Sequence, residues 1–406
     1  MNILITSVSN KVLLVKQFKE AASNYPDISI LTGDITSNVS GALFSDKHII
    51  LPKDNDPLFF EKIKTICLQN SVRLIINTRD EELKLFSTYR HQFRDIGCLL
   101  MLSPSKSLEI CQNKVKFFKF CEENNIETPK TYWNDEDIKY PAFTKPILGK
   151  GSRGCHKVIN EDYLVDFKNN ITQEYVDWPE YTVDLFTDFD GKVISVVPRE
   201  RIKVVHGESH ISQTKNIPVI INESIRLCKK LNLIGHNVIQ CFYKNDKVKF
   251  IEVNPRFGGG SNLSFRSGAN SPKFLIELLK SKSVPSQIGQ FKENLSMYRY
   301  STDVFINEPI KDKVFCIDID GTLCTEGSEY KYAKPIKKVI SKINSLYPDN
   351  SIILYTARGA NSGYNWRTLT EKQLSEWGVK YHNLIMGKPY ADYYIDNKAI
   401  NILEWV

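Results

Sequence analysis

Glu252, Asn254 and Arg256 occur at alternate positions across the end of an apolar stretch. Residues 250–254 alternate between apolar and polar side chains, which predicts a half-buried strand. On such a strand the side chains of Glu252 and Asn254 face the same side, roughly 6–7 Å apart at a rise of about 3.3 Å per residue. Two oxygen ligands on a rigid strand, followed by an arginine, predict a site for Mg²⁺ and a phosphate. A solvated edge strand with a flexible turn is the alternative for the same residues.

A lysine followed by a glycine-rich loop lies farther upstream. Lys145 lies on a predicted strand before the loop at 149–154, which reads Gly-Lys-Gly-Ser-Arg-Gly. Glycines free backbone N–H groups to surround phosphate oxygens, and Lys150 or Arg153 supplies positive charge. A surface hairpin without a ligand is the alternative. The position of the loop between Lys145 and a predicted strand at 171–176 favours phosphate binding.

Two aspartates end a buried strand that begins at Val314. Asp318 and Asp320 are two positions apart, so both face one side, and Gly321 allows a sharp turn after them. Two facing carboxylates repel each other unless a cation lies between them. The pair therefore predicts a second, cation-dependent site.

The hairpin before Glu252 has to satisfy a geometric condition. Two strands flank the turn signal Lys244-Asn-Asp-Lys247. Gln240 lies opposite Glu252 only if the loop holds three residues, 245–247, because a two-residue loop would pair Glu252 with Ile239. We therefore predict the three-residue loop.

Alternating strands and helices precede these sites. The first 102 residues contain five short predicted strands separated by helices, which indicates a parallel Rossmann-like α/β domain. No GxGxxG follows the first strand, so we assign no dinucleotide. The polar turn 78–81 lies where a strand meets a helix, a usual position for a ligand, and a helix cap by Asp80 explains it equally well. One helix from Ser103 to about Thr128 is predicted to carry Lys114.

Composition bounds the class of protein. At about 150 residues per domain, 406 residues predict two to four domains, and 42% hydrophobic residues provide enough apolar material for several cores. The net charge of +7 is spread along the chain, which favours anionic small molecules over nucleic acid. The nine scattered cysteines form no CxxC pair, which indicates reduced core residues and argues against zinc.

No partner other than small molecules is expected from these features. The sequence has no apolar stretch of about 18 residues and begins with a strand in place of a signal peptide, so we expect a cytoplasmic enzyme without a membrane partner. A homodimer is left open.

Residues 1–305 resemble the ATP-grasp superfamily, in particular the carboxylate–amine ligases similar to one half of the large subunit of carbamoyl phosphate synthetase. The resemblance rests on the motifs above in their order along the chain. It implies a preATP-grasp domain at 1–102, an ATP-grasp α+β domain at 103–306, and ATP with Mg²⁺ as cofactors, Mn²⁺ being the alternative metal. It also implies a small-molecule carboxylate and an amine as substrates, one of them phosphorylated.

The same resemblance implies roles for individual residues. The residues that match ATP-binding positions are Lys114, Lys145, Gly151, Ser152, Arg153, Gly154, Glu174, Tyr175, Val176 and Glu180. The two lysines match positions that hold the phosphates or the adenine, 174–176 match the adenine-binding segment, and Glu180 matches the carboxylate that binds the ribose. The Mg²⁺ ligands match Gln240, Glu252 and Asn254, and the arginine that stabilises the phosphate matches Arg256. Many relatives have an acidic residue at the position of Gln240, so it is the weakest of the three matches. The loop 207–209 matches the loop after the central cationic strand, and 258–262 is then where the acceptor carboxylate meets the phosphate.

Residues 313–406 resemble the haloacid dehalogenase-like phosphohydrolases. The resemblance implies Asp318 as nucleophile, Asp320 as general acid and base, and Thr356 and Lys388 as phosphate ligands. Asp318, Asp320 and Asp396 would bind Mg²⁺, and Asn397 replaces a second late aspartate, so Asp392 or a water molecule must complete that pair. The domain is expected to be a small parallel α/β domain without a large cap, with an open pocket.

Together these motifs predict a bifunctional enzyme. Its front part would ligate a carboxylate to an amine through an acyl phosphate, and its tail would hydrolyse a phosphomonoester. The resemblance points to dephosphorylation of the ligated product in the biosynthesis of a surface polysaccharide such as a capsule. The alternative is an ATP-dependent small-molecule kinase with an independent phosphatase domain.

Overall fold

The computed structural model describes residues 1–134, 137–149, 153–161, 166–280, 282–306, 313–327, 329–347, 350–391, 393–394 and 399–405. The chain divides into two compact units, Met1–Val304 and Phe305–Val406. The boundary predicted between 306 and 313 lies close to this division. The boundary predicted at 102 falls within the first unit and stays a prediction.

The first unit begins with a parallel sheet. Its strands are β1 Asn2–Thr6, β2 Ser29–Asp34, β3 Lys47–Ile50, β4 Val72–Ile76 and β5 Leu99–Leu100. The connecting helices are α1 Val12–Ala22, α2 Phe59–Gln69, α3 Asp80–Thr88 and α4 Arg90–Asp95, with a 3-10 helix at Ser40–Phe44. All neighbours in the order β3-β2-β1-β4-β5 are parallel, so the predicted parallel α/β domain is confirmed.

Two helices occupy the segment where we predicted one. They are α5 Ser105–Gln112 and α6 Lys114–Glu123. The prediction was wrong because Asn113 is extended (φ −123°, ψ 112°) and caps the second helix, its side chain accepting a hydrogen bond from the Lys116 N–H at 3.1 Å. Asparagine is among the preferred residues at this position. The break makes Lys114 the first residue of a new helix.

Two antiparallel sheets follow. The smaller contains β6 Thr131–Tyr132, β7 Ala142–Pro146, β8 His156–Val158 and β9 Asn170–Glu174, in the order β6-β9-β7-β8. The larger contains β10 Glu180–Thr187, β11 Val193–Val205, β12 Glu208–Thr214, β13 Gly235–Lys244, β14 Lys247–Asn254 and β15 Ser296–Tyr298. Its order is β14-β13-β10-β11-β12-β15. The helices of this region are α7 Pro218–Leu231, α8 Asn262–Arg266 and α9 Ser271–Leu279.

The β13–β14 hairpin contradicts the loop that we predicted but contains the pair that we required. Lys244 pairs with Lys247, so the turn holds only two residues, Asn245 and Asp246. Both have positive φ (49° and 57°). Glu252 nevertheless pairs with Gln240 because the register shifts by one residue. Cys241 pairs with Phe250, so Ile251 is an extra residue in a β-bulge.

The bulge also lets the Phe250 N–H bond outside the sheet. It donates to the carbonyl oxygen of Glu127 at 2.9 Å. Before the bulge Val248 and Phe250 face the core that includes Leu227 of α7, and after it Val253 does so. The polar residues on either side of the bulge therefore share the opposite face.

The second unit is built on three parallel strands. They are β16 Val314–Ile317, β17 Ser351–Thr356 and β18 Asn383–Met386, in that order. The helices are α10 Lys337–Leu346, α11 Arg367–Glu376 and α12 Ile402–Trp405, with a 3-10 helix at Tyr330–Tyr332. The apolar residues of the sheet and of α10 pack into one core. This unit is a small parallel α/β domain.

All nine cysteines are free, and seven of them are buried. No helix in the described ranges is both long enough and apolar enough to cross a membrane.

Gly235 is tightly packed where the first sheet meets the larger antiparallel sheet. Its φ is 73°, and a Cβ atom there would lie 2.5 Å from Cγ of the buried Met101. We expect Gly235→Ala to lower the free energy of unfolding by about 2–4 kcal/mol, since backbone strain adds to overpacking. Gly191→Ala is the matched control, because φ is 83° and the nearest atom would lie at 3.8 Å. Denaturant titrations followed by circular dichroism would measure both variants, and equal losses would contradict this packing.

Candidate functional site

One face of the larger antiparallel sheet carries a row of polar residues in direct register. Arg199 of β11 pairs with Thr182 of β10, Thr182 pairs with Gln240 of β13, and Gln240 pairs with Glu252 of β14. Residues directly opposite each other in a sheet face the same side. A second row contains Asp184, which pairs with Val238, and Asn254, which pairs with the same valine. The register thus places the predicted Mg²⁺ residues together.

Glu252 and Asn254 are in contact, with the Asn254 amide donating to Glu252 Oε1 at 3.0 Å. Glu252, Gln240 and Asn254 present one carboxylate and two amide groups. This set fits Mg²⁺, which proteins bind through one or two carboxylates together with phosphate oxygens. No cluster of three or more histidine, cysteine, aspartate or glutamate side chains capable of holding a metal occurs among the described residues.

Lys145 is a buried cation on β7, with 5% of its surface exposed. Burial lowers the pKa of Lys145 to about 8, an effect that Glu252 opposes and Lys114 reinforces. Lys114 donates to the carbonyl oxygen of Gly149 at 3.0 Å. The structure therefore brings the two predicted ATP-binding lysines near each other and near Glu252, and their role stays a prediction.

The predicted adenine and ribose residues lie at the β9–β10 connection. Glu174 ends β9, and its side chain accepts hydrogen bonds from the Lys130 N–H at 2.9 Å and from the ammonium of Lys249. Burial opposes ionisation of Glu174, but Lys249 and Lys130 lower its pKa overall. Tyr175 follows, with Lys157 Nζ lying 3.8 Å from the centre of its ring. Val176 is half-buried in the same connection.

Glu180 begins β10 and pairs with Arg201, whose Nη1 lies 2.8 Å from Glu180 Oε1. Burial and Glu252 raise the pKa of Glu180, and Arg201 partly offsets them. Lys249 and Glu252 are three positions apart, and the bulge between them places both side chains on the same face of the sheet. The predicted adenine end and the predicted Mg²⁺ end of the site therefore share that face.

The glycine-rich loop is described only at its ends. Gly149 and Gly154 have φ values of 156° and 71°, and a Cβ atom on Gly154 would lie 3.0 Å from the Pro146 ring. Arg153 is exposed and lines the cleft. The predicted phosphate ligands Gly151 and Ser152 lie outside the described residues.

A cleft of about 1490 Å³ opens over the polar face and extends to the carboxyl edge of the first sheet. Its walls include Ser7, Asp34 and Arg79 from that edge and Gly258–Gly260 from the opposite side. Arg256 also lines the cleft and forms a bidentate ion pair with Asp80, with distances of 2.8 and 2.6 Å. Asp80 therefore anchors Arg256 and does not cap α3, whose N-cap residue is Arg79.

A buried polar network under the glycine stretch was missed in the sequence. Asp184 of β10 accepts hydrogen bonds from Arg199 Nε at 2.7 Å, Arg199 Nη2 at 3.3 Å and Ser261 Oγ at 2.8 Å, and Ser264 Oγ also donates to it. His236 contacts Ser261 at 3.1 Å. Burial opposes ionisation of Asp184, but Arg199 and His236 hold its pKa well below the usual range. The only available signal was the presence of charged residues within otherwise apolar strands.

The second unit gathers charged side chains at the carboxyl ends of its strands. Lys388, which follows β18, forms an ion pair with Asp318. Thr356 ends β17, is fully buried, and donates to Asp320 at 3.5 Å. The predicted Asp318, Asp320, Thr356 and Lys388 are thus brought together. Asp396, the remaining predicted ligand, lies outside the described residues.

Arg358 is the residue that our assignment of this site omitted. Its buried guanidinium contacts Asp320 with distances of 2.7 to 3.1 Å and donates to Gln373 at 2.7 Å. Burial tends to lower the pKa of Arg358, but Asp320 raises it overall. Each of the two aspartates therefore has its own cation. A cavity of about 220 Å³ adjoins Arg358, lined in part by Tyr364 and Trp366.

Two family models match the first unit. Residues 166–302 match the family described as ATP-grasp in the biosynthetic pathway with Ter operon, and residues 3–101 match the PylC-like N-terminal domain. Among curated proteins, the chain is 29% identical to the carbamoyl phosphate synthase large chain of Thermoanaerobacter pseudethanolicus over 37% of this chain and 17% of that protein. It is 24% identical to that of Clostridium acetobutylicum over 53% of this chain and 23% of that protein. The chain thus spans less than a quarter of the length of these relatives.

Solved structures share the fold of this chain at low sequence identity. Biotin carboxylase from Campylobacter jejuni has a TM-score of 0.59 and 14% identity, covering 86% of this chain and 91% of that one. An ADP complex of N5-carboxyaminoimidazole ribonucleotide synthetase has a TM-score of 0.55 and 17% identity, covering 72% and 79%. The biotin carboxylase domain of Hydrogenobacter thermophilus 2-oxoglutarate carboxylase, in complex with MgADP and bicarbonate, has a TM-score of 0.58 and 14% identity, covering 73% of each chain.

The titration of Lys145 tests the electrostatics of the site. We expect its ammonium to titrate near pH 8, and Glu252→Gln to lower the pKa further because Glu252 opposes the effect of burial. As the charged form is disfavoured in the folded state, this lysine makes folding more favourable as the pH rises from about 8 towards 10.5. Nuclear magnetic resonance of ¹³Cε-labelled lysine would measure the pKa, with Lys145→Met assigning the signal. Titration near 10.5 in the wild-type chain would show a solvated ammonium.

Proposed function

We propose that the first unit, which has the ATP-grasp fold, is an ATP-dependent ligase that joins a carboxylate to an amine. The observation that carries the proposal is the registered set of Gln240, Glu252 and Asn254, with the buried Lys145 near Glu252. Oxygen ligands for Mg²⁺ and buried positive charge are what a nucleoside triphosphate requires. The cleft beside them has room for further substrates.

The nucleotide would lie along the polar face of the sheet. Glu180 and the segment 174–176 would contact ribose and adenine at one end, and Glu252, Gln240 and Asn254 would hold Mg²⁺ at the other. The metal, when bound, neutralises charge on the phosphates. A biotin carboxylase domain that shares this fold was solved in complex with MgADP, which supports a nucleotide site in the first unit.

The proposed reaction has two displacement steps. An oxygen of the acid attacks the γ-phosphorus of ATP, the bond to the β-phosphate oxygen breaks, and ADP leaves an acyl phosphate. The amine nitrogen then attacks the carbonyl carbon, the C–O bond to phosphate breaks, and the amine loses a proton. Lys114, Lys145 and Arg256 would offset the charge that develops on phosphate oxygens. The reaction requires no protein nucleophile.

A hydroxamate assay tests the ligase. With ATP, Mg²⁺ and hydroxylamine as a simple amine, we expect the wild-type chain to convert at least one acid among acetate, lactate, glutamate and glucuronate to its hydroxamate, with ADP. Glu252→Gln should lower the rate about 100-fold or more, because it removes the carboxylate of the Mg²⁺ set.

Lys203→Gln is the matched control, because Lys203 is exposed on β11 and is not part of the cleft wall. ADP release without hydroxamate for every acid would indicate a small-molecule kinase instead. Equal rates for Glu252→Gln and Lys203→Gln would also contradict the proposal.

For the second unit we propose a Mg²⁺-dependent phosphomonoesterase of the haloacid dehalogenase-like type. Its support is the convergence of Asp318, Asp320, Thr356 and Lys388 at adjacent strand ends. Asp318 would attack phosphorus while the ester P–O bond breaks and Asp320 protonates the leaving oxygen. Water would then hydrolyse the aspartyl phosphate, with Asp320 accepting its proton. Arg358 would fix the orientation of Asp320.

p-Nitrophenyl phosphate is a suitable probe for this activity. We expect hydrolysis by the wild-type chain and at least a 1,000-fold loss in Asp318→Asn, since the amide is a poor nucleophile. Glu376→Gln, on the exposed surface of α11, is the control expected to retain activity. Undiminished hydrolysis by Asp318→Asn would exclude Asp318 as the nucleophile.

We further propose that the two activities act in sequence, with the tail removing phosphate from the ligated product. Amidation of a uronic acid by an amino-alcohol phosphate in surface polysaccharide biosynthesis has this chemistry. The Asp318→Asn variant should then accumulate a phosphorylated amide, which mass spectrometry would detect. Release of an unphosphorylated amide by this variant would separate the two activities.

A further inference from the structure

We propose that Arg199 binds the carboxylate of the acceptor acid and thereby determines which class of molecule the ligase accepts. This inference rests on the proposed ligase function and adds a specificity-determining residue to it. The ligand class is a carboxylate, bound through one nitrogen of a buried guanidinium.

Among the described residues, the guanidinium of Arg199 donates hydrogen bonds to one residue, Asp184. Arg199 and Asp184 are 2% and 3% exposed, and Asp184 accepts hydrogen bonds from Arg199 Nε at 2.7 Å and Nη2 at 3.3 Å. Asp184 lies one same-face position beyond Thr182, the residue that Arg199 pairs with across the strands. This contact uses two of the three guanidinium nitrogens and fixes the plane of the group.

The third nitrogen, Nη1, has no acceptor among the residues that the structure describes. Arg199 lines the cleft, and Nη1 is directed towards Gly260, where a Cβ atom would lie only 2.6 Å away. Because the side chain lines the cleft, this nitrogen can donate a charge-assisted hydrogen bond to a ligand oxygen. Asp184 cannot turn to serve it, because its two oxygens also accept from Ser261 and Ser264.

Neighbouring arginines of the cleft already have partners. Arg201 contacts Glu180 at 2.8 Å and the Gly207 carbonyl at 2.8 Å. Arg256 is paired with Asp80. Arg299 pairs with Glu208 and donates to the carbonyl oxygen of Gly259 at 2.6 Å. Arg201 also keeps a nitrogen without a partner, its buried Nε. Arg199 differs from these three because, among the described residues, its hydrogen bonds go to Asp184 alone and to no backbone carbonyl.

The backbone beside Arg199 can supply further donors. The N–H groups of Gly259 and Gly260 have no acceptor within the described ranges of the chain. The stretch is held in place by Ser261, whose hydroxyl donates to Asp184 and accepts from the Gly258 N–H at 3.1 Å. Asp184 therefore acts as a positioning residue for both Arg199 and the glycine stretch.

The sheet register places Arg199 at a useful distance from the phosphates. Arg199 and Gln240 lie two strands apart in one row, about 10 Å between backbones, and Glu252 is one strand farther. A carboxylate held by Arg199 Nη1 would therefore lie between Arg199 and a phosphate bound at Gln240 and Glu252. One carboxylate oxygen would contact Nη1, and the other would face phosphorus.

Acetonylphosphonate, in which a methylene group replaces the bridging oxygen of acetyl phosphate, tests the inference without knowledge of the natural acid. Titration calorimetry of the full chain would measure its Kd in saturating MgADP, and the Kd of MgADP alone. We expect Arg199→Gln to weaken the analogue about 10- to 100-fold, as loss of a charge-assisted hydrogen bond predicts, and to change MgADP binding by less than twofold. Lys203→Gln removes the same charge from the same strand and should change neither value.

A second variant leaves the buried ion pair in place. Gly260→Ala keeps both charges and fills the space at Nη1, and the φ of Gly260 is not in the left-handed region. We expect it to weaken the analogue at least tenfold with unchanged MgADP affinity and an unchanged circular dichroism spectrum. Because it does not expose Asp184, it tests the site even if Arg199→Gln fails to fold.

The outcomes separate this inference from the proposed ligase. Wild-type affinity for the analogue in either variant, or equal losses of analogue and MgADP binding, would overturn the role of Arg199. Binding of MgADP but not of the analogue by the wild-type chain would also overturn it, while leaving the nucleotide site intact. Failure of the wild-type chain to bind MgADP would instead refute the proposed ligase.

Discussion

The register of the larger antiparallel sheet is the constraint on which the first site depends. A single row across four strands runs from Arg199 to Glu252, and the neighbouring row contains Asp184 and Asn254. Residues in direct register share a face, so a slip of one position in any strand would turn its polar side chain into the core. Apolar contacts on the opposite face, from Val248 to Val253, hold that register.

Burial determines how the charges of this face behave. Lys145 is buried beside Phe118, and among the described residues no carboxylate forms an ion pair with it, although Glu252 opposes the effect of burial on its pKa. Asp184 is equally buried but has a guanidinium and two hydroxyls around it. The first arrangement disfavours a charge until an anion arrives, and the second makes a charge permanent. The face thus combines Lys145, whose charge is stabilised by a bound anion, with the Asp184–Arg199 ion pair, which stays charged without a ligand.

Sequence patterns predicted the structural features that depend only on residues close together in the chain. The spacing of Glu252 and Asn254, like that of Asp318 and Asp320, follows from the geometry of one strand. The break at Asn113 was also local, and its capping preference was available but not used. Asp184 and Arg199 could not be paired in advance, because their contact depends on a register set by apolar packing between strands. The contact between Arg358, which follows β17, and Asp320, which follows the adjacent β16, could not be predicted for the same reason.

The bulge at Ile251 has a consequence for chain length. The segment between Gln240 and Glu252 is one residue longer than a two-residue turn and regular strands would need to pair these two residues. The surplus residue is accommodated inside β14, where the freed Phe250 N–H bonds to Glu127, and the turn stays short. A homologue lacking Ile251 would keep Glu252 opposite Gln240 with regular alternation. Alignments of this strand should therefore place gaps at 251 and not in the turn.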